Sequence, residues 1–215
     1  MIATGANYRR LNIPSLDRFT GAGLYYVTAG LGKMIKDTHV VITGGGNSAG
    51  QAVVYLAQFA RKVTHLVRGG SLKKSMSDYL IKDIQRLENV DLKLNCEAIE
   101  GRGNTRLEEI DIRDRTTGKI ETLSISAFFV MIGALPHTDW LSSNLHRDKH
   151  GFIITGQQLE QNSEHQPLRF ETSMPGVFAA GDVRHDSVKR VASAVGEGSI
   201  AVEFIHEYLE NPVTV

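Results

Sequence analysis

Between residue 37 and about residue 140, continuous apolar runs alternate with helical stripes. "THVVITGGG" reads as a buried strand and Asn47 to Ala60 as a helix. "KVTHLVRGG" repeats the strand. Ser75 to Leu87 repeats the helix, with Leu80, Ile81, Ile84 and Leu87 on one stripe and Ser75 or Ser77 placed to cap it. From Leu92 to Ser126 the pattern changes to strict alternation in "LKLNCEAIEG", "LEEIDIRDR" and "IETLSIS", with "TTGK" as the last turn, which predicts a β-meander. "AFFVMIGALP" returns to an unbroken apolar run, as in a strand covered on both faces. A βαβ start, an antiparallel insert and a return to the parallel sheet describe an α/β nucleotide-binding domain.

The flanks are less regular. Residues 1 to about 35 give a short apolar start, a turn at Pro14 and the Gly-rich connector "RFTGAGLYYVTAGLGK". The third block opens on a polar segment, "GQQLEQNSEHQPLRF", read as exposed. It closes on a short apolar strand, Val177 to Ala180, and a long helix, roughly Val188 to Leu209.

Composition then removes several function classes. The 215 residues are 41% apolar, enough for one large domain or two small ones. Basic and acidic residues both total 24, so no charge excess favours nucleic acid or an anionic membrane surface. No apolar run is long enough for a membrane span, and the first residues lack the order of a signal peptide. Cys96 is the only cysteine, which excludes an intramolecular disulfide, a CxxC pair and a thiolate metal cage, and makes a cytoplasmic location the expectation. The eight histidines show no metal-ligand spacing with a carboxylate on a helix face, so no metal residues are assigned.

The chemistry concentrates in two glycine motifs. The first is strand, Gly44-x-Gly46-x-x-Ala49, helix. Gly44 makes the tight turn, Gly46 leaves no Cβ between backbone and a pyrophosphate, and Ala49 lets the helix press on the sheet. The amides and dipole at that helix start attract phosphates, and Asn47 and Ser48 offer side chains in the same place. The next strand decides the dinucleotide: it ends in Arg68, then Lys73 and Lys74, with no carboxylate from Val63 to Lys74. Basic residues there favour NADPH, whose extra phosphate an Arg fork can grip. Gly46-Asn47-Ser48-Ala49-Gly50 also matches a hydrolase elbow, but no Asp and His follow at strand ends with an oxyanion loop, and that reading leaves the second motif unexplained.

The second motif is "ETSMPGVFAAGDVRHDSVKRVASAVGEGSIAV", where a buried strand ends in Gly181-Asp182. A carboxylate at the C-terminal edge of a sheet can accept from a polyol hydroxyl. Lys189, Arg190 and Val191, at the start of the following helix, point cations and amides the same way.

With "YRRLNIP", "GGGNSAGQA" and "GALPHTDWL", these motifs resemble the thioredoxin reductase-like FAD/NAD(P)-dependent pyridine nucleotide-disulfide oxidoreductases over nearly the whole chain, in the family's order. The resemblance implies a Rossmann-like NADPH domain at 35–145, carrying the meander, inserted in a partial FAD-binding α/β domain built from 1–34 and 146–215. It implies that Asp182, after Gly181, binds the FAD ribitol and that Lys189, Arg190 and Val191 approach the flavin ring. It also implies that Ala3 to Gly5 lie beside the FAD, that Gly133 with Pro136 forms the nicotinamide-side turn, and that Arg68 reads the NADP 2′-phosphate. The family's neighbouring His and second Arg are Val67 and Gly69 here.

Two departures qualify it. The connector "YYVTAGLGK" holds no CxxC, so thioredoxin cannot be reduced by dithiol exchange, and Cys96 reads as a packed small hydrophobe. The family also begins with a strand–GxGxxG–helix for FAD, whereas "MIATGA" resembles the middle of a family chain. The expectation is a fragment, a late translational start or a piece needing complementation, with poor FAD affinity by itself. The implied function is hydride transfer from NADPH to flavin and on to a small-molecule or protein acceptor, in a homodimer, with no catalytic acid or base assigned. The alternative is a non-catalytic NADP-binding module or inactive fragment.

Overall fold

A computed structural model describes residues 1–141, 143–159 and 166–211. In chain order the elements are β1 (Ala6–Tyr8), α1 (Pro14–Asp17), β2 (Leu24–Tyr25), β3 (His39–Thr43), α2 (Asn47–Ala57), β4 (Lys62–Val67), α3 (Asp78–Gln85), β5 (Val90–Leu94), β6 (Cys96–Arg102), β7 (Glu109–Asp114), β8 (Ile120–Ser124), β9 (Ala127–Val130), β10 (Ala134–Pro136) and α4 (Val191–Glu210). The chain forms two compact units, Tyr8–Gly133 and Met1–Asn7 with Ala134–Val215.

In the unit of Tyr8–Gly133, a five-stranded parallel sheet has the order β2-β9-β3-β4-β5. Alternate residues of its central strands serve two cores, which is why those strands read as unbroken apolar runs. Val40, Ile42, Val63, Ala127 and Phe129 join Val53 and Leu56 of α2 and Leu80 and Ile84 of α3. Val41, Leu66, Phe128 and Val130 join Ile110 and Ile112 of the antiparallel β6-β7-β8 meander. Leu16, Phe19 and Leu24 are buried in that second core and β2 extends the sheet. Residues 8–34 therefore pack with the central unit, and its limits fall at 7/8 and 133/134 rather than at 34/35 and 145/146.

The structure corrects several sequence expectations. "LKLNCEAIEG" is two strands: Asn95 adopts a left-handed φ of 54°, ending β5 at the sheet edge and releasing β6 into the meander. Every residue of β5 is half-buried, so its pattern resembled that of its meander neighbour. "AFFVMIGALP" likewise breaks around Gly133, at φ 94°, into β9 and β10. Neither expected serine cap of α3 forms: Ser77 occupies the N-cap without a side-chain bond, and Ser75 Oγ donates instead to the Gly45 carbonyl at 2.8 Å.

In the other unit, β1 pairs with β10. The expected strand Val177 to Ala180 makes only isolated bridges, Ala179 to Ile2 and Phe178 to Glu171, because its described partners are single residues rather than strands. Phe170, Phe178, Ala180 and Ala201 form one core there; Ile2, Leu145, Ile153, Ala179 and Val183 form another. The segment expected to be exposed ends in a buried Phe170, and residues 160–165 of it lie outside the described residues. α4 starts at Val191 because Arg190, its N-cap, is extended. Among the described residues no helix is long and apolar enough to cross a membrane.

Candidate functional site

The first motif stands at the C-terminal edge of the parallel sheet. Gly44 has φ 145°, and a Cβ there would overlap the Met131 carbonyl oxygen and come within 2.9 Å of Ala49 Cβ. Its amide donates to Leu66 O at 3.1 Å, and its carbonyl accepts from His65 Nε2 at 2.7 Å. The Gly45 carbonyl is held by Ser75, and Asn47 Oδ1 accepts the Ser77 amide at 2.7 Å. Asn47 thus ties α2 to the start of α3 rather than capping its own helix. The Gly44 and Gly45 carbonyls are thus bonded, while the first amides of α2 have no intrahelical acceptors and no side-chain cap. Gly46, the N-cap, has φ −97°, and a Cβ there would meet nothing nearer than Ser75 O at 3.8 Å. The chain's own packing does not require this glycine, so the space in front of it fits a pyrophosphate.

Around this loop Ala49 is buried against the sheet, Ser48 is exposed, and Arg68, Lys73 and Lys74 are exposed beyond the end of β4. The Arg68 carbonyl accepts from Arg115 Nη1 at 3.0 Å. Gly133, exposed, follows β9, and its carbonyl accepts from the Arg9 amide. His65 and Arg115 were not singled out by the sequence, and Ser75 was read only as a helix cap: each acts through a contact across strands or loops that no spacing reveals.

His65 is fully buried, and burial lowers its pKa, opposed by its bond to Gly44. A carbonyl partner requires the proton on Nε2, and Nδ1 is buried without a partner. As pH falls through about 6.5 the unfolded chain binds a proton that folded His65 refuses, so stability present above that pH is lost below it. His65→Gln keeps a donor for Gly44 but cannot titrate. It is expected to reduce the loss of melting temperature between about pH 6.5 and pH 5; a pH profile identical to the parent would contradict this.

In the unit of Met1–Asn7 and Ala134–Val215, a cavity of about 310 Å³ is lined by Ala3, Thr4, Gly5, His137, Asp182 and Gly198, among others. Gly181 has φ 79° and opens a 3-10 turn, Gly181–Val183, that presents Asp182. Asp182 Oδ1 is buried with no hydrogen-bond partner. Asp182 lines the cavity, and a carboxylate there with one oxygen left unbonded fits a hydroxyl-bearing ligand such as a flavin's ribityl chain. Gly198 of α4 adds to the fit: it lines the cavity, and a Cβ there meets nothing within 4 Å, although glycine weakens a helix interior. Thr4 Oγ1 donates to the His137 carbonyl, and His137 N to the Gly5 carbonyl, which fixes the "ATG" segment.

Glu197, which no spacing in the sequence singles out, braces the Gly181–Asp182 turn. Its carboxylate accepts from the Gly181 amide at 2.7 Å and from Arg184 Nε and Nη2 at 3.0 and 2.9 Å. Burial alone would raise its pKa, but those bonds and the Arg184 charge bring it below the usual range, so it stays ionised. Lys189 is turned toward the Phe152 ring, 4.2 Å from its centroid, and burial lowers its pKa. Arg190 and Val191 are exposed, Val191 at 83%, and none of these three lines the cavity. Cys96 is buried, and burial raises its pKa, consistent with a packing role. Among the described residues no group of three or more His, Cys, Asp or Glu could hold a metal ion.

A doubly covered parallel sheet with a glycine turn at its carboxyl edge defines an α/β dinucleotide-binding fold. The chain belongs to the pyridine nucleotide-disulphide oxidoreductase family, whose model matches residues 1–198. It is 33% identical over 211 residues to the F subunit of alkyl hydroperoxide reductase in Escherichia coli K12, covering 97% of this chain and 38% of that protein. The corresponding protein of Staphylococcus aureus MRSA252 is 31% identical over 210 residues, covering 97% and 39%. Among solved structures, thioredoxin reductase from Streptococcus pyogenes MGAS5005 superposes with a TM-score of 0.77 at 32% identity, covering 97% of this chain and 64% of that one. Thioredoxin reductase from Giardia duodenalis gives a TM-score of 0.81 at 26% identity, covering 97% and 65%. The chain thus spans about two fifths of the curated relatives' length and just under two thirds of the structural neighbours'. The thioredoxin reductase-like resemblance and the mixed α/β fold read from the sequence both hold.

Proposed function

We propose that this chain is an NADPH-dependent flavoprotein oxidoreductase. The unit of residues 8–133 binds NADPH, and the unit of Met1–Asn7 and Ala134–Val215 binds FAD. The observation that carries the reading is Asp182, which lines a cavity with Gly181 and Gly198 and has a buried Oδ1 without a hydrogen-bond partner. Asp182 would accept from the ribityl hydroxyls, with Glu197 holding the Gly181 amide that aims it. The Gly46–Ala49 helix start would hold the NADPH pyrophosphate and Arg68 its 2′-phosphate. Bound FAD would supply the two-electron chemistry by accepting hydride from NADPH; the protein supplies binding and orientation.

The alkyl hydroperoxide reductase and thioredoxin reductase names support electron delivery to a further acceptor. With one buried cysteine and no dithiol, that acceptor would be a small molecule or another protein reached without a CxxC relay in this chain. A homodimer and a cytoplasmic location belong to the same proposal. Val191, Val195 and Val202, exposed on α4, offer apolar surface for a second copy.

Anaerobic titration of the purified protein with NADPH tests the reading. The expected result is a flavin absorbance that bleaches on addition. A colourless protein that binds NADPH, before and after reconstitution with FAD, would instead establish the non-catalytic module.

A further inference from the structure

The ribose that distinguishes NADP from NAD lies beyond the second strand of a βαβ unit, which here is the end of β4. Arg68 stands there between Val67 and Gly69, so neither sequence neighbour adds a cation. The structure brings one from elsewhere. Arg115, just after β7, donates from Nη1 to the Arg68 carbonyl at 3.0 Å. Its backbone amide donates to Asn95 O at 2.7 Å, and the Asn95 amide donates to Gly69 O at 3.1 Å, so the meander hairpin is laced to the Arg68–Gly69 segment. The hairpin turn is itself fixed by Asp114, whose Oδ1 accepts the Thr116 and Thr117 amides.

The nearby carboxylates are only partly given to Arg115. Glu97 is shared: Oε1 accepts from Arg113 Nη2 at 2.6 Å, and Oε2 stands 3.5 Å from Arg115 Nε. Asp114 is committed to its own turn. The Arg115 side chain is half exposed, and Nη2 of its guanidinium has no partner among the contacts above, beside the Arg68 carbonyl that Nη1 holds.

We propose that Arg115 is a specificity-determining residue for the phosphorylated dinucleotide: it fixes the Arg68 peptide and adds a second guanidinium for the ribose 2′-phosphate. The inference rests on the NADPH reading above. Two guanidinium forks from separate elements can hold one phosphate dianion, whereas a lysine brings only a point charge.

Calorimetric titration with NADPH and with NADH, without turnover, tests it on the full chain. Arg115→Met keeps the apolar stem and removes the charge. It is expected to weaken NADPH binding about tenfold, the effect of one charge-assisted contact, and to leave NADH binding unchanged. Arg115→Lys is expected to recover part of the preference. Equal weakening of both nucleotides, or no change in either, overturns the assignment if Arg68→Ala still erodes the NADPH preference. If the parent shows no NADPH preference, or if Arg68→Ala leaves that preference intact, the NADPH reading fails and the role of Arg115 with it.

Discussion

Asp182→Ala is expected to strip flavin from the protein while making the flavin-free form no less stable. The two effects have opposite signs because one atom causes both. In the folded chain Asp182 Oδ1 is buried with no donor, a cost that the alanine removes. With flavin bound, the same oxygen gains a hydroxyl partner. Losing a hydrogen bond to a charged acceptor costs roughly 1.5–3 kcal/mol, or about a tenfold to hundredfold loss of flavin affinity. The flavin-to-protein ratio after dialysis reads the first effect and the melting temperature of the apoprotein the second. A variant that keeps flavin like its parent removes Asp182 from the site; one that keeps flavin poorly only because it unfolds points to a structural role.

Gly44→Ala is expected to be among the most damaging single-methyl substitutions in the unit of residues 8–133. The new Cβ meets a carbonyl oxygen and a buried Cβ, at a φ that side chains avoid. The backbone cannot swing away without breaking the Leu66 and His65 bonds. Strain and overpacking together predict a loss of about 3 kcal/mol or more, measured by denaturant unfolding, with nucleotide binding lost alongside. Two positions on, Gly46→Ala has an ordinary φ and open space. It is expected to change stability by less than about 1 kcal/mol and still weaken NADPH binding, because its methyl enters the volume assigned to the pyrophosphate. Equal damage from both substitutions would mean that both glycines serve the fold alone.

The strand-turn-helix around Gly44 was legible because buried strands, tight turns and helix starts each impose a local residue pattern. The split at Asn95 was not. An edge strand and a meander strand are both half-buried, so their alternation runs together across a single left-handed residue. Gly181-Asp182 was readable as a motif, but its support was not: Glu197 lies on α4, 16 residues on from Gly181, and reaches back through folding. The same holds for His65, whose ring reaches the Gly44 carbonyl from β4, and for Arg115, whose guanidinium reaches the Arg68 carbonyl from just beyond β7. Lys189, placed by the resemblance near the flavin ring, has its ammonium 4.2 Å from the centroid of Phe152, a contact that no spacing in the sequence shows.

Amide hydrogen exchange across residues 44–49, with and without saturating NADPH, tests the phosphate cradle most directly. Slowed exchange centred on that turn, abolished by Gly46→Ala in a protein that remains folded, is the expected result. Exchange there that is unchanged by NADPH, while protection appears on another part of the chain, would contradict it.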